Sequence, residues 1–357
     1  MALTSRFDDA LAWAAALHRE QRRKGSRTPY VGHLLGVAAV VIEEGGSEDE
    51  AIAALLHDAA EDQGGRERLD EIAARFGAGV AAIVEACSDA FSAAERDGAP
   101  WRPRKERHLA RLEREGPSAL RVTLADKLYN LHALVADYRT LGEAVWARFK
   151  ADADHPWYFA AVLELLRRRL PGPRVEELAA ALAELHRLLR DAPHPIDDSY
   201  WLSPGRMLAG EYPGAIRDDE ARRKLRRLAW SGVDVFLDLT EPGEYGLRPY
   251  APLLPAGAVH RQMPIADQDV PDRHGMRAIL DAVGAALADG RVVYLHCFGG
   301  IGRTGTVAGC WLVEQGLAGG QALERIAVLR SGTPDEGRRS PETDEQRALV
   351  LDWSGGR

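Results

Sequence analysis

Cysteine is scarce in this chain: Cys87, Cys297 and Cys310 are the three among 357 residues. An odd, sparse set excludes a disulfide framework and points to a reducing cytoplasm. An excess of positive charge is also missing. Lys plus Arg number 46 against 54 for Asp plus Glu, a net charge of -8, so no global basic field draws nucleic acid or an acidic membrane surface. No apolar run approaches the ~20 residues of a membrane span. The first residues carry Asp8, Asp9 and then a basic cluster, which reads as an amphipathic helix and not as a signal peptide. Internal repeats are absent, as are low-complexity tracts beyond alanine-rich helices. What remains is a globular chain, 46% hydrophobic and 28% charged, with apolar material for two cores and a length that argues for at least two domains.

The texture changes near residue 190. Before it, "FDDALAWAAAL", "HLLGVAAVVIEE", "EDEAIAALLHDAAED", "LDEIAARFGAGVAAIVEAC" and "RVTLADKLYNLHALVADYR" repeat apolar residues at helical spacing. The breaks "GSRTP", "EGGS", "DQGG" and "EGPS" separate them. After "APHPIDDS" come short strand-like runs, "RMLAGEYP", "VDVFLDL", "HRQMPI" and "RVVYLHC", alternating with helical ones. The expected architecture is an all-α helical bundle over 1–190, a linker over 191–199, and an α/β domain with a central, mostly parallel sheet over 200–357.

The stretch "HCFGGIGRTG" puts a cysteine between a strand and a glycine-rich turn that opens a helix. Such a turn is an anion site: backbone N–H groups, here at Gly299, Gly300 and Gly302, can face a phosphate, and the helix dipole adds positive potential. The same field favours a thiolate at Cys297. Arg303 can grip two phosphate oxygens, and Thr304 can hydrogen-bond the sulfur. Attack by the thiolate on phosphorus would give a phosphocysteine, later split by water. The leaving oxygen needs a proton from another loop. "MPIADQDVPD" offers Asp267, Asp269 and Asp272, and position directly after a strand favours Asp267. His296 is expected to hold the turn, and Cys87 and Cys310 to be core.

In the first half, "ALLHDAAED" sets His57 and Asp58 on a helix with Glu61 and Asp62 one turn on. Four ionisable groups among Ala and Leu need a cation to be buried. Imidazole and carboxylate suit Mn, Fe, Zn or Ni. His33 and Asp126, each polar on an apolar helical stretch, complete a set with two nitrogens and two oxygens. Water held there would be acidified, with Glu61 and Asp62 placed to orient or deprotonate it. His18, His108, His132, His155, His186 and His194 are read as surface or packing residues.

Two family resemblances rest on these motifs. "RRKGSRTPYVGH", "HDAAED" and "ADKLYN" resemble, in order, the HD phosphohydrolase domain of the stringent-response alarmone hydrolases and their small stand-alone relatives. The resemblance spans about residues 5 to 165, although Leu34 stands where these enzymes usually have proline. It implies a divalent metal such as Mn2+ on His33, His57, Asp58 and Asp126. It also implies a nucleotide substrate contacted by Arg23, Lys24, Lys127 and Asn130. Lys105 and Arg104, in "PWRPRKERHLARL", are offered to a polyphosphate.

From about residue 198, "GRMLAGEYPG", "PIADQDVP", "HCFGGIGRTG" and "SPETDEQRALVLDW" resemble the cysteine-dependent tyrosine and dual-specificity phosphatases. That family needs no cofactor. The resemblance implies Asp267 as acid, Gln346 as the residue orienting the hydrolytic water, and a phosphoprotein or small phosphate ester as substrate. The loop interior carries no lysine, which argues against inositol lipids. The expected protein is a bifunctional phosphohydrolase. The alternatives are a helical half that cleaves another 3′-phosphorylated nucleotide, or one that senses a nucleotide and gates the phosphatase.

Overall fold

The computed structural model describes residues 2–92, 95, 98, 100–150 and 153–354. The chain forms two compact units, Met1–Leu185 and His186–Arg357. Among the described residues no helix is long and apolar enough to cross a membrane.

The first unit is helical: α1 Ser5–Leu17, α2 Val31–Glu43, α3 Glu48–Leu56, α4 Ala59–Asp62, α5 Gly65–Phe76, α6 Ala78–Cys87, α7 Trp101–Leu112, α8 Pro117–Leu141, α9 His155–Arg169 and α10 Pro173–Arg190. Local sequence sets the ends. Ser47 and Glu50 close a capping box at the start of α3, satisfying two backbone donors that would otherwise be orphaned. Pro117 opens α8, where no backbone donor is needed. The core gathers Leu34, Val37, Ile52, Leu55, Leu56, Ile72 and Val122, all fully buried. Each such aliphatic side chain contributes roughly 1.5–3 kcal/mol, so Leu56→Ala would cost about 2–5 kcal/mol.

One expectation is corrected. The run through His57 and Asp58 is not one helix: α3 ends at Leu56, and α4 starts at Ala59. His57 Nδ1 takes the Ala54 carbonyl at 2.8 Å, the acceptor that the Asp58 amide would use in a continuous helix. Asp62 N still reaches Asp58 O at 2.9 Å, so Glu61 and Asp62 stay one turn on.

The second unit holds β1 Ser199–Ser203, β2 Met207–Gly210, α11 Asp218–Trp230, β3 Val235–Asp238, β4 Val259–Gln262, α12 Arg273–Ala288, β5 Val293–His296, α13 Gly302–Glu314, α14 Gly319–Leu329 and α15 Asp344–Leu351. The sheet order is β1-β2-β5-β3-β4. β1 runs antiparallel to β2 and the other pairings are parallel. β1 itself was not foreseen; it is short and has serine at both ends. Residues 191–199, expected as a linker, lie against this unit: Ile196 is fully buried and Trp201 Nε1 donates to Ala192 O at 2.8 Å. β5 is central and buried along its whole length. Cys297 therefore leaves the carboxyl end of the central parallel strand and runs into the helix α13, where open α/β sheets place their ligands.

Candidate active sites

In the helical unit, α2 brings His33, the α3–α4 break brings His57 and Asp58, and α8 brings Asp126. His33 Nε2 and His57 Nε2 are 3.3 Å apart. Asp58 Oδ2 lies 3.5 Å and 2.9 Å from them, and Asp126 Oδ1 lies 3.3 Å and 3.7 Å away. Because Nδ1 of His57 donates to Ala54 O, a neutral ring presents the Nε2 lone pair to this point. Burial disfavours charge on His57, but the Asp58 and Asp126 carboxylates outweigh it and hold the imidazole well above its ordinary value. Both carboxylates lie well below theirs despite burial. His57 and Lys127 supply the positive charge that holds them there, and an imidazole–carboxylate donor set of this kind fits a divalent metal ion. His33, His57 and Asp58 each offer a ligand atom, all within 4.8 Å of one another.

Around this point the other expected residues fall into place unevenly. Asn130 Nδ2 donates to Asp126 Oδ1 at 2.5 Å, and Arg23 donates to Asn130 Oδ1 at 3.1 Å. Lys127 Nζ pairs with Asp126 Oδ2. Lys105 Nζ pairs with the buried carboxylate of Asp89. Both ammonium groups lie over the Tyr158 ring, at 4.8 Å for Lys105 and 5.5 Å for Lys127. Lys24 is exposed. Glu61 receives the Asp89 amide at 3.4 Å. Burial, then Asp89, raises its pKa to about 7, with Lys105 pulling the other way.

Four participants went unrecognised in the sequence. Tyr30 OH donates to Asp58 Oδ2 at 2.5 Å. Gln21 accepts from His18 Nδ1 and Gln63 Nε2 and donates to Asp62 Oδ2 at 2.8 Å. Asp89 ties down Arg104 as well as Lys105. The Tyr158 hydroxyl is buried without a hydrogen-bond partner among the described residues. Tyr30 lies inside the quoted motif "RRKGSRTPYVGH" and Gln21 directly before it, whereas Asp89 and Tyr158 have no local signal. His18 is buried and engaged, a packing residue with a polar task.

In the α/β unit the turn from Cys297 to Arg303 joins β5 to α13. Gly300 sits at φ +71 and abuts the backbone of β2: a Cβ there would lie 2.4 Å from the Gly210 carbonyl carbon. A side chain at that position would push the turn off the sheet. His296 Nδ1 faces Cys297 O at 3.3 Å, and Tyr250 OH donates to His296 Nε2 at 2.6 Å, so His296 braces the turn. Burial pulls its pKa down to about 4.

Arg303 is buried at 1% exposure. Its guanidinium grips both Glu244 carboxylate oxygens at 2.6 Å, reaches Ile265 O at 3.0 Å, and meets Asp267 Oδ1 at 2.9 Å. Among the three candidate acids, Asp267 is the one beside Arg303. Asp272 caps α12 by accepting from Gly275 N at 2.6 Å, and Asp269 Oδ1 accepts from Val270 N at 2.8 Å. Gln346 is fully buried. Its Nε2 donates to Asp269 O at 3.2 Å, and a side chain at Gly302 would meet its Oε1 at 3.1 Å. Its Oε1 accepts from Glu342 N and Thr343 N at 3.1 Å and 3.2 Å, so Gln346 lies between the Asp269 backbone and the start of α13. Thr304 Oγ1 is buried without a partner among the described residues. Glu244 was missed: it reaches Arg303 across 59 residues of sequence. Cys310 lies in the core of this unit and Cys87 against that of the helical unit, and burial raises their thiols to about 12 and about 11.

Two family models match separate parts of the chain. A family model described as "HD domain" matches residues 10–157. Another, "Polymorphic toxin system, DSP-PTPase phosphatase", matches residues 213–317. Among curated relatives, the guanosine-3′,5′-bis(diphosphate) 3′-pyrophosphohydrolase MESH1 of Mus musculus is 40% identical over 129 residues, 35% of this chain and 68% of the relative. MESH1 of Drosophila melanogaster is 31% identical over 157 residues, 43% and 81% of the two chains. Solved structures include one titled as a metazoan ortholog of SpoT that hydrolyzes ppGpp. It is 27% identical, covers 52% of this chain and 97% of its own, and has a TM-score of 0.41. Tk-PTP in its active form is 26% identical, with 44% and 95% coverage and a TM-score of 0.36.

The chain is a hydrolase built of two units, each of an enzyme family. Its second unit is of the dual-specificity phosphatase type. The chain belongs to the HD-domain family that includes the MESH1 pyrophosphohydrolases.

Proposed function

We propose that this hydrolase is bifunctional. The helical unit removes the 3′-diphosphate from a guanosine alarmone of the ppGpp type with the help of Mn2+, and the α/β unit cleaves phosphate monoesters through a phosphocysteine. The convergence of His33, His57, Asp58 and Asp126 on one point supports the first half, together with the 40% identity to MESH1. A divalent ion held by these four would acidify water and polarise a phosphoryl oxygen. Glu61, near pKa 7, can accept a proton from water at neutral pH, and Gln21 holds Asp62 in place beside it. Arg23, Lys24, Lys105 and Lys127 supply positive charge for the substrate's phosphates, and Asn130 contacts its ribose or base.

The placement of Asp267 against Arg303 at 2.9 Å, at the rim of the Cys297 turn, supports the second half. Arg303 and the amides of Gly299, Gly300 and Gly302 bind the phosphate. Cys297 Sγ forms a bond to phosphorus as the ester P–O bond breaks, and Asp267 gives its proton to the leaving oxygen. Water oriented by Gln346 then attacks phosphorus and returns a proton to Asp267. Thr304 Oγ1 stabilises the departing thiolate. A small phosphate ester or a phosphoprotein is the substrate class.

The test is a two-by-two assay on the full chain, chelator against Cys297→Ser, with ppGpp and an aryl phosphate. Chelation should stop nucleotide hydrolysis and spare the aryl phosphate. Cys297→Ser should do the reverse, losing on the order of 10³-fold or more. Loss of both activities under either treatment, in folded protein, would overturn the two-site reading and favour a nucleotide sensor that gates the phosphatase. Hydrolysis of other 3′-phosphorylated nucleotides in preference to ppGpp would replace the alarmone.

A further inference from the structure

The segment after β3 reads "EPGEYG" and lays two adjacent residues on two side chains of the phosphatase site, Arg303 and Asp267. Glu244 holds Arg303 with both carboxylate oxygens at 2.6 Å. Tyr245 OH donates to Asp267 Oδ2 at 2.5 Å. The other Asp267 oxygen, Oδ1, is the one on Arg303 at 2.9 Å. The carboxyl group is therefore divided: Tyr245 keeps one oxygen, and the second faces the guanidinium that an incoming phosphate would claim. When phosphate takes Arg303, Oδ1 is freed to bind a proton from solvent and hand it to the ester oxygen, while Oδ2 stays fixed.

The backbone shows that this placement is held. Tyr245 adopts φ 50, ψ 17 between Gly243 at φ 80 and Gly246 at φ 70. A bulky residue in the left-handed region is strained and persists only where its surroundings fix it. The side chain is 67% exposed, so core packing does not hold it there. Its contacts are Asp267 and the ring of Phe298, 5.2 Å between centroids. Phe298 directly follows Cys297 and is itself 48% exposed. The bond to Asp267 also raises the phenol above its ordinary value, which keeps it a donor.

We propose that Tyr245 is a positioning and specificity residue of the phosphatase site: its hydroxyl fixes Asp267 for proton delivery, and its ring forms with Phe298 an aromatic rim that selects aryl phosphates over alkyl phosphates. The proposal rests on the phosphocysteine reading given above. It deepens that reading by naming the substrate class: an ester whose oxygen carries an aromatic ring, such as a phosphotyrosyl group, because two exposed rings at the mouth offer stacking that a seryl phosphate cannot use.

The experiment uses the full chain as Tyr245→Phe and Tyr245→Leu. The substrates are phenyl phosphate, 2,4-dinitrophenyl phosphate and O-phosphoserine. Tyr245→Phe should lose about 10-fold in kcat on phenyl phosphate, a part of the ~10²–10⁴ that general acid catalysis contributes. It should keep its KM and keep its kcat on the dinitrophenyl ester, which leaves unaided. Tyr245→Leu should in addition raise KM for the aryl esters by about 2- to 10-fold while leaving KM for O-phosphoserine unchanged.

An unchanged Tyr245→Phe, or a loss equal on both aryl esters, overturns the positioning role. A KM rise shared by aryl and alkyl esters in Tyr245→Leu overturns the aromatic rim. Asp267→Asn and Cys297→Ser run alongside separate the levels. If Asp267→Asn shows no leaving-group dependence, or Cys297→Ser stays active, the underlying reading fails. If both behave as expected and the Tyr245 variants do not, only this inference fails.

Discussion

The helical unit draws the four residues of its proposed metal site from positions 33, 57, 58 and 126, three separate places on the chain, whereas the α/β unit sets Cys297, its glycines and Arg303 within seven consecutive residues. The difference is one of forces. The first cluster crowds carboxylates and imidazoles into a buried space, a costly arrangement unless positive charge sits among them. The second is shaped by backbone: a strand end, a glycine with no room for a side chain, and a helix N-terminus. It needs no ion to hold its form. The first site should therefore break by removal of charge, and the second by removal of a single atom or contact.

The largest expected effect falls on the first site. Asp58→Ala should abolish bound divalent metal, measured by elemental analysis of the purified chain. Nucleotide hydrolysis should fall with it, and aryl-phosphate hydrolysis should be unaltered. Equal metal content in wild type and variant would remove Asp58 from the ligand set. Tyr30→Phe sharpens the point, since its hydroxyl orients Asp58. A second-sphere loss of roughly 10–100-fold in metal affinity is expected, against none if Tyr30 merely packs.

A smaller effect distinguishes the acids of the second site. Asp267→Asn should slow hydrolysis of esters with poor leaving groups by ~10²–10⁴ and spare activated ones. Asp272→Asn should leave the leaving-group dependence intact. Loss of the Asp272 cap altogether, in Asp272→Ala, should cost about 0.5–2 kcal/mol of stability. The reverse pattern in a leaving-group series would move the acid to Asp272.

This contrast also explains what could be read in advance. A contiguous turn announces itself, because cysteine, glycines and arginine at that spacing have no ordinary packing use. Asp126 and His33 were legible because each is polar on an apolar helical stretch. Glu244, Tyr245 and Asp89 were not. They reach their partners from distant segments, and "EPGEYG" or "CSDAF" could stand in any surface loop. The break after Leu56 escaped because helical periodicity runs through it, while the cause is one side chain: the His57 ring captures a backbone acceptor. β1 escaped although its Tyr200 and Trp201 are good strand formers, because its five residues directly follow the Pro- and Asp-rich stretch read as a linker.

The smallest predicted effect sets the two units apart by pH. In the α/β unit, burial holds His296 neutral, with its pKa lowered to about 4; unfolded, the ring takes a proton near the ordinary ~6.5. Above pH ~6.5 neither state is protonated, and this group takes nothing from stability. As pH falls from there toward about 4, the unfolded chain binds a proton that the folded one refuses. Stability then declines by up to ~1.4 kcal/mol per pH unit. In the helical unit, burial and the nearby lysines lower His108 to about 3, which gives a loss of the same sign. Glu61, raised to about 7, opposes it: the folded state binds that proton first, so stability is gained as pH falls from about 7 toward the unfolded carboxyl value. Between pH 7 and 5 the α/β unit should therefore weaken, while in the helical unit Glu61 and His57, both raised in the folded state, offset the losses at His108 and His18. Amide hydrogen exchange on the full chain reads each unit separately, at β2, β3 and β5 for one and at α2, α3 and α8 for the other. His296→Gln, which keeps an acceptor for Tyr250, should flatten the slope in the sheet and leave the helices as they were. An unchanged slope in the sheet would mean that His296 is not the group that titrates.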